Sequence, residues 1–322
     1  MKTREMSISL LVLVGLSVAC LLSACGSDEA TPTPSESVSV LPSPFESPLQ
    51  PVQQFAGLLA FHSERSGTLQ VYLLQGDTAE VVRLSDDPAG DFEPDWSPDC
   101  RSLVFSSQRL DPYGFELYTV GKDGSGEKRL IENQPADDWA PAWSPAGDII
   151  AYQTNQAGRL NICFVNTAGE SQGCLEGDYN KATPAWSPDG STILFVSDRD
   201  GDWDVYATDY PIASEPVPLT DNDASDSNPR FSPDGTVIAF ASNPLGNFDI
   251  FVMNADGSNQ VQLTNDAADD ATPRWMGSDK IVFASQRTSD WELYLMDRDG
   301  SNVEQLTDSP GLDKWPVWCP GE

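Results

Sequence analysis

Asp198, Asp200, Asp202 and Asp204 alternate around Gly201, a spacing at which an acidic loop could wrap a calcium ion. The glutamate that completes an EF-hand loop is missing, so Asp198, Asp200 and Asp202 make a weak calcium candidate, and no other cofactor is expected. Histidine chemistry has almost nothing to work with: His62 is the only histidine in 322 residues, and no Cys/His spacing suits zinc. General acid–base work would fall on carboxylates, and 50 acidic residues are too many to single out a pair. Neither a Ser-x-Gly nucleophile elbow nor an α/β-hydrolase domain after the ring is expected. What remains is binding chemistry, so the elements that hold the acidic and aromatic loops decide the reading.

Those elements are set by a repeat. A Pro-x-aromatic step recurs at Pro94-Asp95-Trp96, Pro141-Ala142-Trp143, Pro184-Ala185-Trp186, Pro229-Arg230-Phe231, Pro273-Arg274-Trp275 and Pro316-Val317-Trp318, with prolines 47, 43, 45, 44 and 43 residues apart. A period of 40–45 residues is the signature of a β-propeller in which each repeat forms one four-stranded blade. Within a unit, Ser232-Pro233-Asp234-Gly235 makes a tight turn, Thr236–Ser242 a β-rich strand, Asp249–Asn254 a second apolar run and Gln260–Thr264 an outer strand. Asp-Gly supplies the positive φ angles that short hairpins need, which makes these aspartates structural. No stretch of the folded region has a sustained helical period, so the fold class is all-β.

The ends of the array complement each other. Three strands near Leu58–Phe61, Val71–Leu74 and Val81–Leu84 lack a Pro-x-Trp strand ahead of them, and Pro316-Val317-Trp318 is such a strand with no blade after it. Joined, they give a six-bladed β-propeller of four-stranded antiparallel blades, with the first blade completed by the C-terminal strand. The aromatic column Trp96, Trp143, Trp186, Phe231, Trp275 and Trp318 is expected to pack between blades.

Residues 1–24 read as a lipoprotein signal peptide. Lys2 and Arg4 precede an apolar run, and Leu22-Ser23-Ala24 stands directly before Cys25, the expected lipidation site. Residues 25–54, rich in Pro, Ser and Thr, read as a disordered tether, and residues 55–322 as the propeller. The expected location is outside the cytoplasm, with the lipid anchored in the outer leaflet of the cytoplasmic membrane or in the outer membrane. Gly26 after the cysteine permits the latter. A formal charge of −32 argues against nucleic acid and anionic membrane as binding surfaces, so the membrane is reached through lipid alone. Four cysteines follow Cys25. Cys163 and Cys174 flank a hairpin turn symmetrically, and Cys100 and Cys319 occupy nearly equivalent places in adjacent blades, so the expected disulfides are Cys163–Cys174 and Cys100–Cys319.

The repeat resembles that of the TolB-like β-propeller family: Pro184 to Gly190 with Ser197-Asp198-Arg199 and Asp204-Val205-Tyr206, and Asp249 to Asn254 with Leu263-Thr264, follow its pattern. The resemblance implies the propeller fold over 55–320 and kinship with lipid-anchored members, in which an anchor stands where TolB carries an α/β domain. The family's repeat serves scaffolds and enzymes alike, so it fixes no activity. Arg109 with Glu116, Arg199 with Asp204 and Arg287 with Glu292 are read as a repeating structural ion pair.

The loops that run from the outer strand of one blade to the inner strand of the next carry 17 acidic residues against Lys181 and Lys314. Asp91, Asp138 and Asp270, with Trp139 and Trp315 at the channel mouth, are the expected site for a basic peptide, a cation or another polar ligand. The reading is a non-catalytic cell-envelope lipoprotein, monomeric, that binds an envelope protein or such a ligand. The alternative is an extracellular carbohydrate-binding propeller, or one acting enzymatically on sugars or peptides.

Overall fold

The computed structural model describes residues 54–109, 114–131, 136–156 and 158–320. The signal segment 1–24, Cys25 and the tether up to residue 53 lie outside the described residues. Six four-stranded antiparallel sheets form the blades. Their inner strands are Asp313–Cys319 in blade 1, Asp91–Trp96 in blade 2, Asp138–Trp143 in blade 3, Lys181–Trp186 in blade 4, Asp226–Phe231 in blade 5 and Asp270–Met276 in blade 6. Each inner strand packs against those of the two neighbouring blades, which closes the ring.

Blade packing explains the strand composition. The second strands, such as Thr192–Ser197 and Val237–Ser242, are buried at five of six positions because both faces of each sheet lie against a neighbouring blade. They therefore read as continuous apolar runs without polar alternation. The outer strands, such as Val217–Pro218, Val261–Gln262 and Glu304–Gln305, are two exposed residues long, which leaves only short free edges.

The Ser-Pro-Asp-Gly turns hold themselves together. Ser232 Oγ donates to Asp234 Oδ1 at 2.6 Å and accepts from Val237 N at 3.0 Å, while Gly235 sits at φ 71°. The hydroxyl and amide donors around Asp189 and Asp234 hold both carboxyls below the usual range, as expected of structural turn residues.

Asp313–Cys319 pairs with Leu58–Ser63 and completes blade 1. The Cys100–Cys319 disulfide ties this strand to blade 2, and Cys163–Cys174 joins directly opposed residues of one hairpin. The aromatic column links blades through hydrogen bonds as well as packing: the indoles of Trp96, Trp186 and Trp275 donate to the carbonyls of Val317, Ala142 and Arg230, each in the preceding blade, at 3.1, 3.0 and 3.1 Å.

Candidate functional site

Asp91, Asp138 and Asp270 occupy one equivalent position, the first residue of an inner strand, in three different blades. All three are fully buried. Register places Asp91 opposite Ser107, Asp270 opposite Ser285 and Asp313 opposite Ser63. Two residues after each serine an arginine folds back. Its Nε donates to the serine hydroxyl at 2.8–2.9 Å and its Nη2 reaches the aspartate at 2.7–2.9 Å, giving the pairs Arg65–Asp313, Arg109–Asp91 and Arg287–Asp270. The guanidinium then covers the ring of Tyr72, Tyr118 or Tyr294 at 5.0, 4.2 and 4.7 Å. The repeating ion pair is therefore present, but its acid heads the inner strand and not the third strand. Glu116 pairs with Arg129 at 2.7 Å, Glu292 accepts from Thr307 and Ser309, and Asp204 accepts from Thr220. In blade 4, where Lys181 stands at the aspartate position, Arg199 turns to Glu215 at 3.9 Å.

Asp91 and Asp270 thus serve the blades' own arginines. Replacing Asp270 with Ala should cost about 3 kcal/mol, the low end for a buried pair that loses one member, because Arg287 keeps 20% of its side chain exposed. Urea unfolding measures this, and the double change Asp270→Ala, Arg287→Met should recover part of the loss. An Asp270→Ala protein as stable as the parent would show the pair to be dispensable.

Trp139 and Trp315 lie in different blades and play different parts. Trp139 is half-buried at the end of an aromatic run with Phe115, Phe92 and His62, with successive centroids 6.1, 5.3 and 6.1 Å apart. Trp315 is buried, and the Arg274 guanidinium lies 5.7 Å from its ring. Two of the three calcium candidates have protein partners: Asp198 accepts from Asn180 N and Nδ2 at 2.9 and 2.7 Å, and Asp200 accepts the Tyr206 hydroxyl. Among the described residues no group of three His, Cys, Asp or Glu is placed to hold a metal ion. Gly169-Glu170-Ser171-Gln172-Gly173 has the spelling of a nucleophile elbow, but it forms a hairpin turn and the edge strand Ser171–Cys174 of blade 3, while His62 lies in blade 1.

The axial channel holds residues that the repeat pattern did not single out. The third residue of every inner strand adopts a positive φ of 48–54°: Glu93, Ala140, Thr183, Asn228, Thr272 and Trp315. The next residue is proline, which has no N–H to place in the ladder, and the pairing register shifts across these two residues in blades 2 to 6. Left-handed backbone at threonine and tryptophan is strained, and its recurrence at six positions with five different residue types assigns it to the bulge itself. Bulges re-aim side chains. Here Glu93 and Asp95 of blade 2 come under the influence of Arg230 and Arg274 from blades 5 and 6, and Glu93 also of Lys314 from blade 1. Ring order puts blade 5 opposite blade 2, so an acidic wall faces a basic one.

Among the described residues Glu93 and Asp95 form no direct ion pair with Arg230 or Arg274. Glu93 accepts from Ala140 N and Asp95 from Trp143 N, both at 2.7 Å. Arg230 donates to the carbonyls of Pro184 and Pro229 and Arg274 to that of Pro273. Burial dominates their titration: Glu93 is pushed up to about 7, Lys314 down to about 7 and Arg230 down to about 10. Around Asp95, Arg230 and Arg274 lies a cavity of about 350 Å³ lined by Trp96, Trp143, Trp186, Phe231, Trp275 and Trp318. All six blades contribute, so it lies on the axis. It is ringed by the Ser-Pro turns, at the end of the ring opposite the loops that carry Asp91, Asp138 and Asp270.

His62 closes the other side of the acidic wall. Its Nδ1 accepts from Glu93 N at 3.1 Å, and burial, with Lys314 nearby, lowers its pKa to about 3. The unfolded chain takes up this proton near pH 6.5 and the folded chain near 3, so between these values the unfolded state binds the extra proton. His62 therefore removes stability as pH falls from 6.5 towards 3, by about 1.4 kcal/mol per pKa unit. A His62→Gln protein, which keeps an acceptor for Glu93 N, should lose less stability over that range in urea titrations. Parallel pH slopes for the two proteins would contradict a buried neutral His62.

The model of the TolB beta propeller domain matches residues 116–215 and 212–322. TolB from Acinetobacter baumannii superposes with a TM-score of 0.72 at 20% identity, covering 82% of this chain and 67% of that one. An oligogalacturonate lyase from Vibrio parahaemolyticus superposes at 0.52 with 14% identity, covering 79% and 76%. At such identities the likeness is one of fold. Dipeptidyl-peptidase 5 of Porphyromonas gingivalis is 33% identical over 70 residues, 20% of this chain and only 10% of the relative's length.

Proposed function

The chain belongs to the TolB β-propeller family, and from that premise we propose that it is an exported, non-catalytic binding scaffold whose axial channel receives the partner. The observation that carries this reading is the channel with facing acidic and basic walls, Glu93 and Asp95 against Arg230 and Arg274, that leaves its charges unneutralised by direct pairing. A fold stabilised for its own sake would pair such groups or replace them with apolar ones, because burying charge is costly. Export is supported by two disulfides, which persist in oxidising compartments, and by the signal-like residues 1–24 with Cys25 as the proposed lipid anchor. A non-catalytic role is supported by His62, which is buried and engaged by Glu93 N.

A second reading, carbohydrate binding, is favoured by the partly exposed indoles of Trp143, Trp186 and Trp318 around the axial cavity, since aromatic faces offer sugars a stacking surface. The test uses the full-length protein purified from envelopes in detergent, compared with an Arg230→Gln, Arg274→Gln variant. Cross-linked envelope components recovered with the parent should be lost from the variant. Equal recovery by both would move the site out of the channel, and a glycan-array signal that depends on Trp186 would favour the second reading.

A further inference from the structure

The channel contains polar atoms that the fold itself leaves unsatisfied. Arg274 Nε, Trp315 Nε1, Thr272 Oγ1, Thr183 Oγ1 and Asn228 Oδ1 are buried and make no hydrogen bond, and each belongs to a residue at least nine-tenths buried. Four of the five residues occupy the strained, positive-φ position of an inner strand, and the fifth, Arg274, lines the axial cavity beside Trp315. An unmade buried hydrogen bond costs about 1–3 kcal/mol, so five on one axis form a concentrated cost that a bound group would relieve.

Charge sorts the ligand classes. A simple anion would meet Arg230, Arg274 and Lys314 but face the carboxylates of Glu93 and Asp95, and a simple cation would meet the reverse. A neutral ligand would desolvate both walls and compensate neither. A molecule with both signs satisfies both walls. At the level of Asp95, Arg230 and Arg274 the channel opens into a cavity of about 350 Å³, near the lower end of small-molecule sites, roughly 300–1,000 Å³, while Glu93, Thr183, Asn228, Thr272 and Trp315 stand two residues earlier on their inner strands, outside the lining of that cavity.

We propose that the channel binds a small zwitterion, a free α-amino acid or short peptide, with its carboxylate held by Arg274, Arg230 and the Trp315 indole N–H and its ammonium held by Glu93 and Asp95. Thr183, Asn228 and Thr272 supply the remaining donors and acceptors for the ligand's amide or side-chain atoms. This rests on the reading of the channel as a binding site and adds the chemistry of its occupant. Glu93 and Asp95 are fixed in direction by the Ala140 and Trp143 amides, so the acidic wall is preorganised and its partner does not have to order it.

Isothermal titration of the full-length protein with a panel of amino acids and di- and tripeptides tests the proposal, with acetate, ethylammonium, glucose and inorganic phosphate as single-feature probes. At least one zwitterion should bind at least tenfold more tightly than acetate and ethylammonium. Arg274→Gln should remove the binding, and Glu93→Gln should weaken it at least tenfold, with both variants showing folded circular-dichroism spectra. Blocking the peptide's amino end by acetylation should cost as much as Glu93→Gln in the parent protein and little in that variant. Failure of every zwitterion to bind, or equal binding of acetate and the best zwitterion, overturns the assignment. If cross-linked components are still lost from the Arg230→Gln, Arg274→Gln variant, that failure falls on the ligand class and leaves the scaffold reading standing.

Discussion

A chain ending at Asp313 should lose its cooperative unfolding transition. Deleting residues 314–322 removes most of the inner strand of blade 1, whose partner Leu58–Ser63 lies more than 250 residues earlier, so no neighbouring segment can replace it. The cut takes away Trp315, Val317 and Cys319, all buried, and the carbonyl that accepts from Trp96 of blade 2. It also frees an apolar sheet edge at Leu58–Ser63, which is a template for association. Loss of a single large core side chain costs about 3–5 kcal/mol, and this deletion removes several together, against a total stability of about 5–15 kcal/mol. Trp318 alone is a smaller matter than its place in the repeat suggests: it is only partly buried, with its indole donating to Ala56 O at 2.9 Å. A truncated protein that melts in one transition at the parent's temperature would refute the closure argument.

Cys100→Ala with Cys319→Ala should cost about 5 kcal/mol, and Cys163→Ala with Cys174→Ala about 3 kcal/mol, in the chain-entropy account of disulfides. The difference follows from loop length: the first bridge closes 219 residues and the second 11. The long bridge also holds the closing strand against blade 2, where Cys319 packs in the same apolar cluster as Trp96 and Leu103. Cys163 and Cys174 are already opposed by hairpin register, so their removal leaves local pairing to hold blade 3. Urea unfolding of the two double variants measures the order, and equal losses would show that denatured-state constraint is not the main contribution of the ring-closing bridge.

Much of the architecture was legible from residue order. Pro-x-Trp, Ser-Pro-Asp-Gly and the continuous apolar strand runs are local signals, and each specifies a turn or strand within about ten residues. Repeated at a 43–47-residue spacing, they specify blade count, strand order and even the strand shared between the two ends of the array. Cys163 and Cys174 paired for the same reason, since a hairpin's register is a local property. Sequence adjacency misled the assignment of the arginines. Glu116 and Glu292 follow Arg109 and Arg287 by a few residues, yet the arginines reach back to Asp91 and Asp270, which register sets beside them across the blade.

The channel site was beyond the reach of sequence. Asp91, Glu93 and Asp95 lie within five residues of one strand and carry the same chemistry, but their fates differ. Asp91 faces its own blade's Arg109, whereas Glu93, turned by a positive φ before Pro94, feels basic residues of three other blades and Asp95 those of two. The sequence by itself determined the ring, because turn chemistry and hydrophobic period act between near neighbours. Only the tertiary structure decided which charges face the axis, because that depends on bulge geometry and on ring closure, which bring together Glu93, Arg230, Arg274 and Lys314 from separate repeats.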